Sequence, residues 1–187
     1  MAKIRLALIC GGKSVEHEIS LLSARNIIAA LDLTKYELTL LAITKDGSFR
    51  FYPDDQHFLE NENDPKLVAL RNSGFEEVAW RASAEKGQLL VAGHPQQIDV
   101  VFPLMHGSFA EDGRMQGFLE MLGLPYVGPD VLASALAMDK EISKKLVSAA
   151  GMQVAPYLVF EQNQQAELNY QAIEKVLTVP FFIKPAR

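Results

Sequence analysis

One cysteine, one tryptophan and no apolar run of membrane length set the first limits on this 187-residue chain. A lone Cys10 can form no internal disulfide, which removes the disulfide-stapled folds. It lies inside an apolar stretch and reads as a buried, inert thiol. A membrane helix needs about 20 consecutive apolar residues, and a secretory leader needs an apolar core behind a basic start. Met1-Ala2-Lys3 leads straight into a short apolar run, so the expectation is a soluble cytoplasmic protein with no membrane contact. Basic clusters are missing as well. With 18 Lys and Arg against 23 Asp and Glu the net charge is −5, and no stripe offers the footprint that nucleic acid requires. His17, His57 and His94 lack metal-ligand spacing and read as surface residues. The hydrophobic share of 49% and charged share of 22% match ordinary globular usage and exclude wholesale disorder.

What is present reads as α/β. Residues 4–9 are too uniformly apolar for a half-exposed strand and fit one covered on both faces. Over 18–31 the residues Ile19, Leu22, Ile27, Ala30 and Leu31 fall at helical spacing, and 36–44 reads as a second strand. Lys45-Asp46-Gly47-Ser48 predicts a hairpin turn into a short exposed ribbon carrying Phe49 and Phe51. Residues 53–95 read as a peripheral insertion, with a short helix around 66–71 and strand fragments at 77–80 and 88–91. The sheet resumes at 98–104. A helix over 114–122, entered through Asp112 as its cap, then carries Met115, Phe118, Leu119 and Leu122 on one face. A strand within 123–128, helices over 131–137 and 141–150, a strand over 154–160, a helix over 164–177 and a strand over 179–184 complete the reading. Asp139 caps the second of the paired helices and Gly151 stops it. The expected domains are 1–137, with an insertion at 45–95, and 138–187, a second domain cut short.

Two polar segments follow apolar runs, at 11–20 and 106–113. Both sit where the carboxyl end of a parallel strand feeds a loop and a helix, the place where open α/β sheets hold ligands. Gly12-Lys13-Ser14 is no phosphate-binding loop, since the required glycine five positions earlier is Ala7. A dinucleotide fingerprint fails too, because no third glycine follows and 14–18 is bulky and polar. Glu16 is left as a carboxylate beside a helix N-terminus, where the dipole favours its ionised form. In a ligand crevice it can grip a substrate ammonium; the bland alternative is a helix-start acid, which is how Glu18 reads. His106 is either a site residue oriented by Glu111 or a histidine satisfying a loop carbonyl. Periodicity alone makes Lys140 and Lys184 surface lysines.

Four blocks together resemble the D-alanine–D-alanine ligases: Gly11-Gly12-Lys13-Ser14-Val15-Glu16-His17-Glu18-Ile19-Ser20; His106-Gly107 with Glu111-Asp112-Gly113; Leu132-Ala133-Ser134-Ala135 with Met138-Asp139-Lys140; and Ile183-Lys184-Pro185-Ala186-Arg187. The segment 45–93 is similar to the longer A-type members. The resemblance implies a Rossmann-like, parallel-sheet N-terminal domain followed by the start of an α+β ATP-grasp domain. It implies an ATP-dependent ligase of peptidoglycan precursor synthesis, in which one D-alanine carboxylate is phosphorylated and the amine of a second attacks the acyl phosphate. Glu16 then matches the catalytic-site glutamate on the first D-alanine's ammonium, Ile19 the contact with its methyl, and His106 the histidine near its carboxylate. Lys140 and Lys184 match the lysines that reach ATP phosphates. Mg²⁺ or Mn²⁺ is implied as cofactor, and a homodimer through the N-terminal domain. Glycine is usual where Ala110 stands. The family's Gly-Ser-Ser loop, its tyrosine loop, the arginine near the transferring phosphate and the acidic metal ligands find no match here. No metal ligand is therefore assigned, and the expectation is a fragment that is inactive alone. Two alternatives stand: a related ligase such as a D-alanine–D-lactate enzyme, or a noncatalytic amino-acid-binding module.

Overall fold

The computed structural model describes residues 2–83, 86–167 and 169–186. It divides into two compact units, Met1–Ala135 and Leu136–Arg187. In the first, the apolar run forms β1 (Ile4–Gly11), followed by α1 (His17–Ala30) and β2 (Tyr36–Ile43). After it come β3 (Phe49–Phe51), β4 (Leu59–Glu60), β5 (Ala69–Leu70), β6 (Glu76–Arg81), β7 (Gln88–Val91), β8 (His94–Gln96), β9 (Val100–Pro103) and α2 (Arg114–Met121). Seven strands make one sheet in the order β8-β7-β6-β3-β2-β1-β9. The strands β2, β1 and β9 run parallel, and the rest join antiparallel. The small β4–β5 ladder stands apart.

The central strand shows why the run is continuously apolar. Ala7 and Ile9 point into one buried cluster with Met115 and Leu119 of α2, while Leu8 and Cys10 point into the other with Leu21, Ala24 and Ile28 of α1. Alternate residues thus serve opposite faces, and neither face can be polar. Each fully buried leucine or isoleucine stabilises the fold by roughly 1.5–3 kcal/mol relative to exposure.

The insertion corrects the sequence reading. Residues 49–51 are half-buried, and β3 bonds to both β2 and β6, so the ribbon is the antiparallel continuation of the main sheet. Phe49 lies in edge contact with Trp80 at 5.9 Å, and Trp80 in turn with Phe118 of α2 at 5.5 Å. Alternation marks a face to be covered and is silent about what covers it. The helix expected at 66–71 is absent. The Asp64 carboxylate instead accepts the Lys66 amide and its backbone carbonyl those of Leu67 and Val68 in a turn, after which Leu70 enters β5. Six residues are too few to offset helix nucleation once an aspartate offers the backbone a turn. The strand expected within 123–128 is reduced to a bridge between Tyr126 and Val101. Asp112 is not the helix cap either: Gly113 holds that position in a left-handed conformation, and Asp112 accepts from the amides of Phe109 and Arg114.

Helix α3 (Val131–Met138) spans the division between the units, and α4 (Lys140–Ala149) opens the second, with Asp139 accepting from the amides of Glu141 and Ile142. The helix expected over 164–177 is instead a 3₁₀ turn, Gln162–Glu167, followed by α5 (Tyr170–Leu177). Asn169 breaks it by accepting from the amides of Gln171 and Ala172, the N-cap role of asparagine; Leu168, within the expected helix, lies outside the described residues. Segments 154–160 and 179–184 form no strands among the described residues. A strand exists only with a neighbour to take its amides and carbonyls, and without one even strongly β-forming sequence stays solvated. Phe182 and Ile183 are accordingly 85% and 84% exposed. No helix among the described residues is long and apolar enough to cross a membrane.

Candidate functional site

The site is built where β1 and β9 end side by side. Gly12, at φ 103°, turns the chain off β1, and a side chain there would strike the Met105 methyl at 2.7 Å. Its amide still donates to Ile43 O at 2.8 Å, so the turn stays tied to the sheet. His17, expected on the surface, is buried and holds Gly12 O through Nδ1 at 2.8 Å. Metal-ligand spacing carries no sign of such a backbone partner, which only the turn at Gly12 brings within reach. His57 and His94 are exposed as expected.

Ser20 clamps the two strand ends. Its fully buried hydroxyl accepts from the Gly11 amide at 2.7 Å and donates to Leu104 O at 2.6 Å. One side chain on α1 therefore fixes the separation of the two loops.

Glu16 stands at the N-cap position of α1, its amide donating to Ser14 Oγ at 3.1 Å. Its carboxylate lies over Gly107, where a side chain would collide with Glu16 Oε2 and Ser14 Oγ. Gly107, at φ 72°, is thus required both by its backbone and by the packing of the two loops. The Glu16 side chain is exposed and accepts no hydrogen bond among the described residues. A neighbouring acid behaves differently: Glu18 pairs with Lys45 at 2.5 Å, and that hydrogen bond holds its carboxyl below the usual range. Glu16 is the carboxylate of the helix start left open to an external cation.

His106 follows β9 and reaches back to α1. Its Nε2 lies 3.2 Å from Ser23 Oγ, while Nδ1 is 3.8 Å from Glu111 Oε1. Glu111 spends its other oxygen on the Gly107 amide at 2.9 Å. Ile19 is 51% exposed, and Glu16, Ile19 and Ser23 follow one another at the three- and four-residue steps of one helix face. The fold therefore gathers Glu16, Ile19 and His106 around the start of α1. Sequence reading missed Ser14, His17, Ser20 and Ser23. The available signal was a serine one turn and another two turns after Glu16, the first fully buried and the second half-buried.

Lys140 and Lys184 belong to the second unit. Lys140 opens α4, and both its amide and its Nζ reach Ala186 O, at 2.9 and 3.4 Å. Lys184 Nζ sits 5.9 Å from the Phe182 ring. Residues 184–186 therefore lie beside the start of α4, with both ammonium groups exposed; Arg187, the last residue of that block, lies outside the described residues. Among the described residues no three His, Cys, Asp or Glu side chains converge as a metal site. A separate apolar cavity of about 180 Å³ lies against Gly12, Met105 and Phe118, with Lys13 and Arg114 at its lining; neither Glu16 nor His106 lines it.

The family description "D-ala D-ala ligase N-terminus" matches residues 5–129, two-thirds of the sequence and every element from β1 to β9 and α2. The chain belongs to the D-alanine–D-alanine ligase family. A D-alanine–D-alanine ligase of Proteus mirabilis is 42% identical over all of this chain and 51% of its own length. Among solved structures, the D-alanine–D-alanine ligase of Coxiella burnetii superposes with a TM-score of 0.80 at 31% identity, over 94% of this chain and 49% of that one. VanG, a D-Ala:D-Ser ligase of Enterococcus faecalis, gives 0.74 at 32% identity, over 100% and 53%. The chain thus spans about half the length of the relatives it matches. Ala110 is buried without a positive φ, and the left-handed residue is its neighbour Phe109, at φ 67°.

Proposed function

We propose that this chain supplies the first D-alanine subsite and two ATP-phosphate lysines of an ATP-dependent D-alanine–D-alanine ligase. The observation that carries this is the open Glu16 carboxylate resting on Gly107 beside His106, in a chain whose family is that of these ligases. Glu16 takes the substrate ammonium by a charge-assisted hydrogen bond, and the N-terminal end of α1 behind it favours the ionised carboxylate that this bond requires. His106 meets the carboxylate, and the exposed Ile19 side chain packs on the methyl. Orienting the substrate this way converts an encounter into a near-unimolecular step, which can be worth about 7–11 kcal/mol of barrier.

Residues 1–137 form the N-terminal domain in this reading, and 138–187 begin the ATP-grasp domain. Lys140 and Lys184 hold phosphate oxygens of ATP as compact movable cations. Mg²⁺ (or Mn²⁺), bound by acidic groups outside this sequence, would neutralise charge on the transferring phosphoryl group. The parent acts in the cytoplasm as a homodimer through its N-terminal domain. The second substrate is chosen outside these residues, and the match to VanG keeps D-serine as a second acceptor alongside D-alanine.

The test is a chimera joining this chain to the C-terminal half of the Proteus mirabilis relative. D-alanine-dependent phosphate release from ATP, absent with L-alanine, is the expected result. A folded chimera that binds ATP but releases phosphate irrespective of D-alanine would contradict the assignment.

A further inference from the structure

Ser23 has no part in the contacts assigned to substrate, yet its hydroxyl is committed on both sides. Oγ lies 2.9 Å from Ile19 O and 3.2 Å from His106 Nε2. A carbonyl can only accept, and the hydroxyl has a single proton. The Ile19 contact therefore takes that proton, and Oγ faces the imidazole with a lone pair.

From this we propose that Ser23 is a positioning residue that sets the tautomer and the ring orientation of His106. Nε2 carries the hydrogen in the neutral ring and donates it to Ser23. Nδ1 is left with the lone pair, on the side facing Glu111 at 3.8 Å. That distance is too long for a hydrogen bond. Glu111, expected to orient the ring, is instead held on the Gly107 amide and acts on the loop. A chain of three atoms, Ile19 O, Ser23 Oγ and His106 Nε2, thus ties the ring to the backbone of the same helix turn that carries Ile19. The ring cannot flip about χ2 without placing a C–H edge against Ser23 Oγ. The reading of His106 as a substrate contact is a separate claim on which only the kinetic consequence rests: a carboxylate only accepts, so it is the imidazolium, with Nε2–H kept on Ser23, that presents an Nδ1–H donor to it.

The direct experiment uses the 187-residue chain itself, ¹⁵N-labelled at histidine, with long-range ¹H–¹⁵N correlation spectra recorded about two pH units above the ordinary histidine pKa of about 6.5. His106→Gln assigns the signals. The wild-type ring is expected to show a protonated Nε2 and a bare Nδ1. Ser23→Ala, a change that favours helix and should leave the circular dichroism intact, is expected to give averaged tautomer shifts. Ser23→Thr, which keeps a hydroxyl able to bond Ile19 O, is expected to restore the wild-type pattern. A wild-type Nδ1–H tautomer, or an unchanged pattern in Ser23→Ala, overturns the proposal. In the chimera, Ser23→Ala should raise the KM for D-alanine at least fivefold, with the KM for ATP unchanged and rescue by threonine. A tautomer change with no kinetic change would overturn the substrate role of His106 while supporting the positioning role of Ser23.

Discussion

Ser20 and Cys10 show how far single side chains govern the site. Replacing Ser20 by alanine leaves the Gly11 amide and Leu104 carbonyl facing each other without their bridge. Each buried unsatisfied group costs about 1–3 kcal/mol, so Ser20→Ala should lower the urea midpoint with an unchanged denaturant slope. Cys10 is fully buried, and burial pushes its thiol well above the ordinary range. The folded thiol thus ionises at higher pH than the unfolded one, near pH 8.5. Its contribution is complete below that value and is lost as pH rises beyond it. Between about pH 8 and 10 the urea midpoint of the wild type should fall more than that of Cys10→Ala, and native Cys10 should resist thiol reagents. At this scale the burial of Cys10 was legible, because an apolar run on both sides leaves a thiol nowhere else to go. His17 and Ser23 were not: their partners are backbone and ring atoms that only the fold brings near.

Helices and central strands were the most legible elements. Their periodicity reports burial, and burial in β1, β2, α1 and α2 is set within each segment. The insertion was the least legible, since Phe49 and Trp80 acquire their meaning from Phe118, which lies far along the chain. Trp80 is the sole tryptophan, so this contact can be read optically. Phe118→Ala should open the edge contact between α2 and the antiparallel half of the sheet. A cost of roughly 3 kcal/mol is expected, near the lower end for aromatic truncation because Phe118 is only partly buried. Trp80 emission should shift to the red as water reaches the indole; an unmoved spectrum would mean the cluster does not join these elements.

At the level of the whole molecule, the two units differ in how completely they bury what their sequences offer. The first carries both buried clusters and the entire main sheet. In the second, 154–160 and 179–184 have strand-like sequences without ladders. Limited proteolysis should cut first within those two segments and leave a protected fragment containing 1–135; early cleavage inside β1 or β2 would contradict this. The α/β class was legible because the strand ends and helix starts repeat at short range. The failed strands at 154–160 and 179–184 were not, because pairing is a property of the neighbour rather than of the segment.

The central claim is that the Glu16 carboxylate holds the ammonium of the first D-alanine. Steady-state kinetics of the chimera, with and without Glu16→Gln, tests it most directly, because the substitution keeps the side-chain shape and removes only the charge. The expected result is a D-alanine KM raised at least tenfold for the first-bound substrate, about 1.4 kcal/mol or more of lost binding, with the KM for ATP unchanged. An unaltered D-alanine KM, or a loss confined to ATP, would contradict it.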